Sequence, residues 1–356
     1  MSEQPFPTHK ELELENFTAF ERAKLSFVPG VNAIIGENGT GKTHILKVLY
    51  AVHLSWLRYG HPQLVMVFQL DQSNSQLIRN GGLRRESADA GGVFGDTTWR
   101  ISAMPPLIES EDPEISSNAT PSFGVVLYSG DIPEQSSMPV FIPAIDMMAH
   151  TKGFVSTFDN YRIDFDLTHR EIVSLLLSPE KRELDEPAMK LVADLTAILG
   201  GTLELQGERF YLATESTRLP MPSVAEGLRK IATLIRLVQT GWLGPGSTLF
   251  WDEPEVNLNP ILMDEVVGAI LALSRAGVQV FLATHSYVIL KELDLQLGND
   301  EARFISLRHG PNGTEVSSFS SFSELVPNAI LDQYSSLYDR ELARATGRKI
   351  VREQSS

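Results

Sequence analysis

The sequence predicts an α/β fold: a mostly parallel sheet flanked by helices, joined to a mixed β lobe and interrupted by a helical and β insertion. Three observations predict it. In the last third of the chain strand-like and helix-like stretches alternate: STLFW (247–251), a helical span over 260–276, VQVFLA (278–283), a helical span over 286–295, and RFISL (303–307). Alternation at these lengths implies parallel pairing through helical crossovers. Near the N-terminus the apolar run VNAII (31–35) passes through a Gly-rich turn into helical spacing at Ile45, Leu46, Leu49, Val52 and Leu54, reaching about Leu57. Between 60 and 140, strand-like runs LVMVFQL (64–70), TWRIS (98–102), FGVVLYS (123–129) and PVFIPA (139–144) are separated by polar loops, which predicts an antiparallel layer beside the main sheet.

The remaining elements follow in order. ELELENF (11–17) alternates apolar and acidic residues as a half-buried strand does, and a short strand around Lys24–Phe27 ends at Pro29-Gly30. Ser and Gly clusters near 84–96 and 109–122 read as surface loops, and residues 146–199 as mostly helical. TLELQGERFYLAT (202–214) reads as a hairpin turning near Gly207, and a long helix spans about Val224 to Thr240 before Gly241. After the RFISL strand, segment 328–352 carries Leu331, Tyr334, Tyr338, Leu342 and Ala345 at helical spacing, with Arg340, Arg344, Arg348, Lys349 and Arg352 on the other face. That is either a tail helix packed on the core or a basic helix that meets nucleic acid or an acidic partner.

Composition excludes several classes. The 356 residues are 42% hydrophobic and 21% charged, ordinary globular usage. The net charge of −15 confines any nucleic-acid contact to a local basic patch. Without cysteine there is no disulfide, thiol catalysis or Cys-zinc site. No stretch approaches the roughly 18 apolar residues of a membrane span, and the N-terminus lacks an apolar signal core, so a soluble cytoplasmic protein is expected.

Gly36-Glu37-Asn38-Gly39-Thr40-Gly41-Lys42-Thr43 matches G-x-x-x-x-G-K-[ST] in full, between an apolar strand and an apolar-periodic helix. Glycines let backbone N–H groups wrap phosphates, and the helix N-terminus adds partial positive charge. Lys42 is expected to reach the β and γ phosphates of ATP, and the Thr43 hydroxyl to ligate Mg²⁺. Ser247–Pro254 is a hydrophobic strand ending in two acids. Lying beside the phosphate-loop strand, it would deliver Asp252 to the metal, leave Glu253 to polarise the attacking water, and stop at Pro254. VQVFLA ends at Thr284-His285-Ser286, where His285 either touches and senses a γ-phosphate or is an ordinary packing or surface residue. His150, His169, Asp146, Asp164 and Asp166 lack metal-site spacing and read as solvated groups near helix ends. Phe17 and Phe20 either cover an adenine base or fill the β lobe.

Together, GENGTGKT (36–43), LFWDEPEVNLNP (249–260) and FLATHS (281–286) resemble the ABC-class P-loop ATPases, nearest the soluble branch that includes RecF, SMC-type proteins and OLD nucleases. LENFTAFERAKLSFVPGVNAIIGENGTGKT (14–43) resembles the N-terminal lobe of that branch, and FIPAIDMMAHTKGF (141–154) its stand-alone bacterial members. The resemblance implies an ABC-type head that binds ATP between two copies. It gives Lys42 and Thr43 the phosphates and Mg²⁺, Asp252 the Mg²⁺, Glu253 the water and His285 the switch role. Asn257, Leu258 and Asn259 fall at the D-loop, and Glu226 with Gly227 at the signature motif that contacts the partner's γ-phosphate. That motif ordinarily carries a Ser and two adjacent glycines; here Gly227 stands alone and Ser223 is the nearest hydroxyl. Gln69 is a Q-loop candidate, with an ordinary surface Gln as the alternative.

The implied organisation is an N-terminal ATPase lobe (1–60), a β-rich and helical insertion or lid (61–215), a C-terminal ATPase lobe (216–320) and a C-terminal helix (321–356). The 190 residues between Gly36 and Glu226 fit neither a compact transporter subdomain nor a long coiled-coil arm. The implied function is an ATP-hydrolysing switch that dimerises around ATP and controls a separate effector, a nuclease or toxin, in anti-phage defence or genome maintenance. Two alternatives stay open: a RecF-like ATP-gated DNA-binding protein using Arg344 or Arg348, and a nucleotide-binding regulator with negligible turnover.

Overall fold

Leu12, Leu14 and Phe17 point inward along β1 (His9–Phe17), as the alternation in ELELENF requires. The chain turns at Thr18-Ala19 and returns as β2 (Phe20–Ser26), antiparallel, with Phe17 opposite Phe20. β3 (Val31–Gly36), an apolar run buried on both faces, belongs to a second sheet. These relations come from a computed structural model that describes residues 6–61, 63–70, 77–79, 87–103, 126–129, 136–298, 301–324, 340, 341 and 344.

After β3, α1 (Lys42–Leu54) runs into a wider turn over Ser55–Tyr59 that Gly60 closes at φ 71. LVMVFQL forms the short helix α2 (Leu64–Val67), not a strand; only Leu64 and Val67 of its apolar residues are fully buried, a helical spacing. The stretch 84–96 is not a surface loop where it is described, because β4 (Ala88–Phe94) is the centre of the β lobe. Its glycines disguise it: a Cβ on Gly92 would stand 2.4 Å from the Glu11 carbonyl and 2.8 Å from the Trp99 ring. Small residues there are a packing requirement that resembles loop composition. β5 (Thr97–Ala103) and β6 (Val126–Ser129) complete a five-stranded antiparallel sheet, β2-β1-β4-β5-β6. The loop expected at 109–122 lies outside the described residues.

PVFIPA does not join this layer. β7 (Val140–Ile142) pairs parallel with a strand of the main sheet, so the segment assigned to the insertion contributes to both sheets. Three helices follow: α3 (Phe154–Asn160), α4 (Leu167–Leu176, capped by Asp166) and α5 (Glu186–Leu199, capped by Asp185). β8 (Thr202–Gln206) and β9 (Arg209–Ala213) form the expected hairpin with Gly207 at φ 53, and β10 (Arg218–Pro220) adds a third strand. α6 (Glu226–Gln239), β11 (Thr248–Asp252), α7 (Pro260–Arg275), β12 (Gln279–Thr284) and α8 (Tyr287–Gln296) alternate as expected. The chain then forms a hairpin of β13 (Ala302–Gly310) and β14 (Gly313–Phe319), where the sequence suggested one strand.

The main sheet has the order β14-β13-β3-β12-β11-β7, parallel except for the β14 edge. Both faces are buried, which is why its strands read as continuous apolar runs. Leu249 and Trp251 pack among helices α4 to α8, whereas Phe250, Phe281 and Ile34 face α1 and the β lobe. Phe250 and Phe281 stack at 5.0 Å between ring centroids; each buried ring contributes about 1.5–3 kcal/mol. Gln279 joins the two sheets, accepting from the His9 amide and donating to the His9 and Val28 carbonyls. Among the described residues no helix is long and apolar enough to cross a membrane. The C-terminal segment 321–356 opens with a short 3-10 turn at Phe322–Glu324; beyond it only Arg340, Glu341 and Arg344 are described, helical and exposed, and Arg348 lies outside the described residues.

Candidate nucleotide site

At the C-terminal end of β3 the chain turns sharply beneath β13, and a Cβ on Gly36 would stand 2.4 Å from the Leu307 carbonyl. Gly39 at φ 78 and Gly41 at φ 95 carry the loop through left-handed backbone, and the Thr40 hydroxyl donates to the Glu37 carbonyl at 2.8 Å. Phe20 lies buried under the loop, where a Cβ on Gly41 would collide with its ring at 2.7 Å. Phe17 is buried as well, so both aromatics fill the lobe and neither is available to a base. α1 begins at Lys42 with no side-chain cap, leaving its first N–H groups to a ligand. Lys42 Nζ donates to the Gly36 and Glu37 carbonyls at 2.9 and 3.0 Å, inside the concavity that a phosphate would fill. Burial lowers the pKa of Lys42, and the facing Asp252, Glu253 and Glu255 oppose that.

The strand beside β3 is β12, not β11. Asp252 nevertheless reaches the loop, because α1 packs back across β12 and β11. The Thr43 hydroxyl lies 3.1 and 3.0 Å from the two Asp252 carboxylate oxygens. Burial pushes the Asp252 carboxyl up to about 6, against the bond from Thr43. A hydroxyl and a buried carboxylate side by side are hard oxygen donors suited to Mg²⁺, which commonly takes one or two protein ligands together with phosphate oxygens and water. No cluster of three or more His, Asp or Glu that could hold a metal by itself occurs among the described residues.

Glu253 leaves β11 at φ 49, its amide donating to the Ala283 carbonyl at 2.8 Å. Its carboxylate faces the imidazole of His285, with Oε1 3.7 Å from Nε2. Burial and the charge of Lys42 lower the His285 pKa. Lys42, Thr43, Asp252, Glu253 and His285 are thus gathered at the carboxyl ends of the neighbouring strands β3, β12 and β11. Gln69 is exposed at φ 53 after α2, and no described hydrogen bond ties it to the loop.

The signature region sits on a separate face. α6 starts at Glu226 with Ala225 in the N-cap position and no side-chain cap; Ser223 lies in the preceding turn, out of register. Gly227 makes a close packing contact: a Cβ there would stand 2.8 Å from Leu262 and 3.1 Å from Leu258. Asn257, at φ 58, donates to Glu226 Oε2 at 2.9 Å. Arg229 donates to Asp146 Oδ2 at 2.6 Å, and the two line a cleft with Ile145, His150, Glu226 and Asn257. Asp146 is therefore a buried ion-pair partner and not a solvated acid. Asp166 is another, buried under Lys47 at 2.6 Å and bonded to Thr168 and His169. Burial pushes its carboxyl up, but the His169 bond and the Lys47 charge hold it well below the usual carboxylate range.

Three residues at the site went unnoticed in the sequence. Lys230 is buried and donates to the carbonyls of Glu253, Pro254 and Val256. Glu255 Oε1 accepts from the His285 amide at 2.5 Å. His309 Nε2 lies 3.0 Å from the Asn38 carbonyl, against the outside of the loop. The charged residue within DEPE was a signal for Glu255; Lys230 and His309 carried none, since their partners are distant in sequence.

The fold and this site define an ABC-class P-loop ATPase of the RecF/SMC branch. The model of the family described as AAA domain, putative AbiEii toxin, Type IV TA system matches residues 86–291, and the chain belongs to that family. A second AAA-domain model matches residues 11–51. The chain is 42% identical over 41 residues to the DNA replication and repair protein RecF of Limosilactobacillus fermentum, covering 12% of this chain and 11% of that protein. It is 40% identical over 45 residues to RecF of Bacillus thuringiensis, covering 13% and 12%. The similarity thus spans about an eighth of the length of these relatives. The SMC head bound to the C-terminal winged-helix domain of ScpA is similar in fold, with a TM-score of 0.55 and 15% identity over 89% of this chain and 98% of that one. The SMC head bound to the C-terminal domain of ScpA from Pyrococcus furiosus gives a TM-score of 0.54 and 12% identity over 94% and 99%.

Proposed function

We propose that the protein is an ATP-hydrolysing molecular switch whose two copies close around ATP and whose output passes to a separate effector. The observation that carries this reading is the convergence at the carboxyl ends of β3, β12 and β11 of the Thr43–Asp252 pair with the Glu253–His285 pair, beside a complete phosphate loop. In this reading residues 1–60 and 216–320 carry the nucleotide-binding parts of the ATPase head, and 61–215 supplies the insertion together with β4 to β7, which complete the two sheets.

In this reading Gly36 to Thr43 cradle the phosphates, and Lys42 exchanges the two loop carbonyls for β and γ phosphate oxygens. Thr43 and Asp252 would hold Mg²⁺, which would neutralise phosphate charge. Glu253 takes a proton from the attacking water, and His285 orients that carboxylate and meets the γ-phosphate. Across the seam, Glu226, Gly227 and Asn257 present the N-terminus of α6 to the partner copy's nucleotide. The toxin–antitoxin wording of the family description and the ScpA-bound SMC heads support an effector held on a separate chain, a nuclease or toxin in cytoplasmic anti-phage defence or genome maintenance. A DNA contact would use a local basic patch, since the net charge is −15.

A second reading, a nucleotide-binding regulator with slow turnover, is favoured by one observation: Ala225 stands at the α6 N-cap where a hydroxyl would contact phosphate. The test is light scattering of Glu253→Gln with Mg-ATP. Doubling of the mass, absent with ADP, supports the ATP-closed pair, and an unchanged mass contradicts it. Proteins recovered with the trapped form identify the effector.

A further inference from the structure

We propose that Glu255 is a positioning residue that holds the switch histidine against the general base by binding its backbone amide. The inference rests on the ATPase reading above.

Past the ends of β11 and β12 the ladder continues for one more backbone bond, from the Glu253 amide to the Ala283 carbonyl at 2.8 Å. There β11 stops at Pro254, and nothing in the main chain remains to pair with His285. The Glu255 side chain supplies the missing rung: Oε1 accepts from the His285 N–H at 2.5 Å. The two bonds tie the turn after β11 to the end of β12, which carry the Glu253 and His285 side chains that approach to 3.7 Å between Oε1 and Nε2. With the outer bond removed, the segment beginning at His285 pivots on the inner one.

Glu255 in turn sits on a turn that cannot yield. Lys230 Nζ takes the carbonyls of Glu253, Pro254 and Val256 at 3.3, 2.9 and 2.6 Å, on both sides of Glu255 in sequence. The Val256 amide closes onto the Glu253 carbonyl at 3.2 Å, and the Leu258 amide onto the Glu255 carbonyl at 3.0 Å. This network holds Glu253 in left-handed backbone at φ 49, a conformation that persists only where surroundings over-determine it. Glu255 Oε2 is buried with no hydrogen-bond partner among the described residues, so one acceptor does the holding while the other oxygen serves no structural bond. Lys230 belongs to α6, whose N-terminus is the proposed partner-facing seam. Movement of α6 on closure would therefore reach Glu253 through Lys230 and His285 through Glu255.

The test compares wild type, Glu255→Ala and Glu255→Gln in ATP affinity, phosphate release and hydrogen–deuterium exchange of the segment 281–290. Glu255→Ala should lower kcat about tenfold or more while the Kd for ATP stays within about twofold, the split expected when geometry and not binding is lost. The same variant should speed exchange at His285. Glu255→Gln, whose amide oxygen still accepts, should restore both. Should Glu255→Ala fail to fold, Glu255→Asp takes its place, keeping the charge but withdrawing the acceptor by one methylene. Unchanged exchange in Glu255→Ala, or Glu255→Gln as impaired as Glu255→Ala, overturns the inference. A wild type without turnover contradicts the ATPase reading instead, and the exchange comparison still decides the role of Glu255.

Discussion

Asp252 is costly as a buried, ionised carboxylate, and the cost is measurable. Its carboxyl titrates near about 6 in the folded protein, chiefly through burial, against an ordinary 3.8. A folded pKa above the unfolded one means that the fold prefers the protonated acid. Stability is then fully present below about pH 4 and falls as pH rises toward 6. The difference is about 2 units at about 1.4 kcal/mol each, so the ionised carboxylate costs roughly 3 kcal/mol at pH 8. Asp252→Asn removes the charge and keeps an acceptor for the Thr43 hydroxyl. Urea unfolding with EDTA and no nucleotide should show the variant more stable than wild type by about 2–3 kcal/mol at pH 8 and by about half that at pH 5. With Mg-ATP at about 1,000 times the wild-type Kd the order should reverse, because wild type gains roughly 4.1 kcal/mol of linked binding that a variant lacking the carboxylate does not. A variant less stable than wild type at pH 8, or a gain that does not shrink at pH 5, refutes the reasoning.

Other perturbations test other joints of the fold. Lys230→Met removes the donor to three carbonyls and should cost about 2–4 kcal/mol in urea unfolding, since buried acceptors are left unpaired. Asp166→Asn breaks the pair with Lys47 and should cost about 3 kcal/mol at pH 7. Because the folded Asp166 pKa is depressed, that contribution is present above about pH 4 and disappears as pH falls, so the two proteins should converge in acid unfolding curves. Gly227→Ala forces a methyl against Leu262 and should lower stability by about 1–3 kcal/mol, read as a fall in Tm.

The phosphate-loop motif and the acid pair were legible because each is a short contiguous motif that follows a strand apolar on both faces. Sheet order was not: the interposition of β12 between β3 and β11 depends on crossovers that no local pattern records. Gly91-Gly92 concealed β4, since the demand for space beside Trp99 and Glu11 has the same composition as a loop. LVMVFQL is short enough that period 2 and period 3.6 fit it alike. Asp146 and Asp166 read as solvated because their partners, Arg229 and Lys47, lie 83 and 119 residues away. The same distance effect hid Lys230, whose ammonium becomes a clamp only when α6 meets the turn after β11.

The most direct measurement of the central claim is phosphate release from Mg-ATP by wild type and Glu253→Gln side by side, with ATP binding measured on both. The account predicts turnover by wild type and a loss of about 100-fold or more in the variant, the usual range for a general base, with binding retained. Turnover by Glu253→Gln equal to wild type would contradict it.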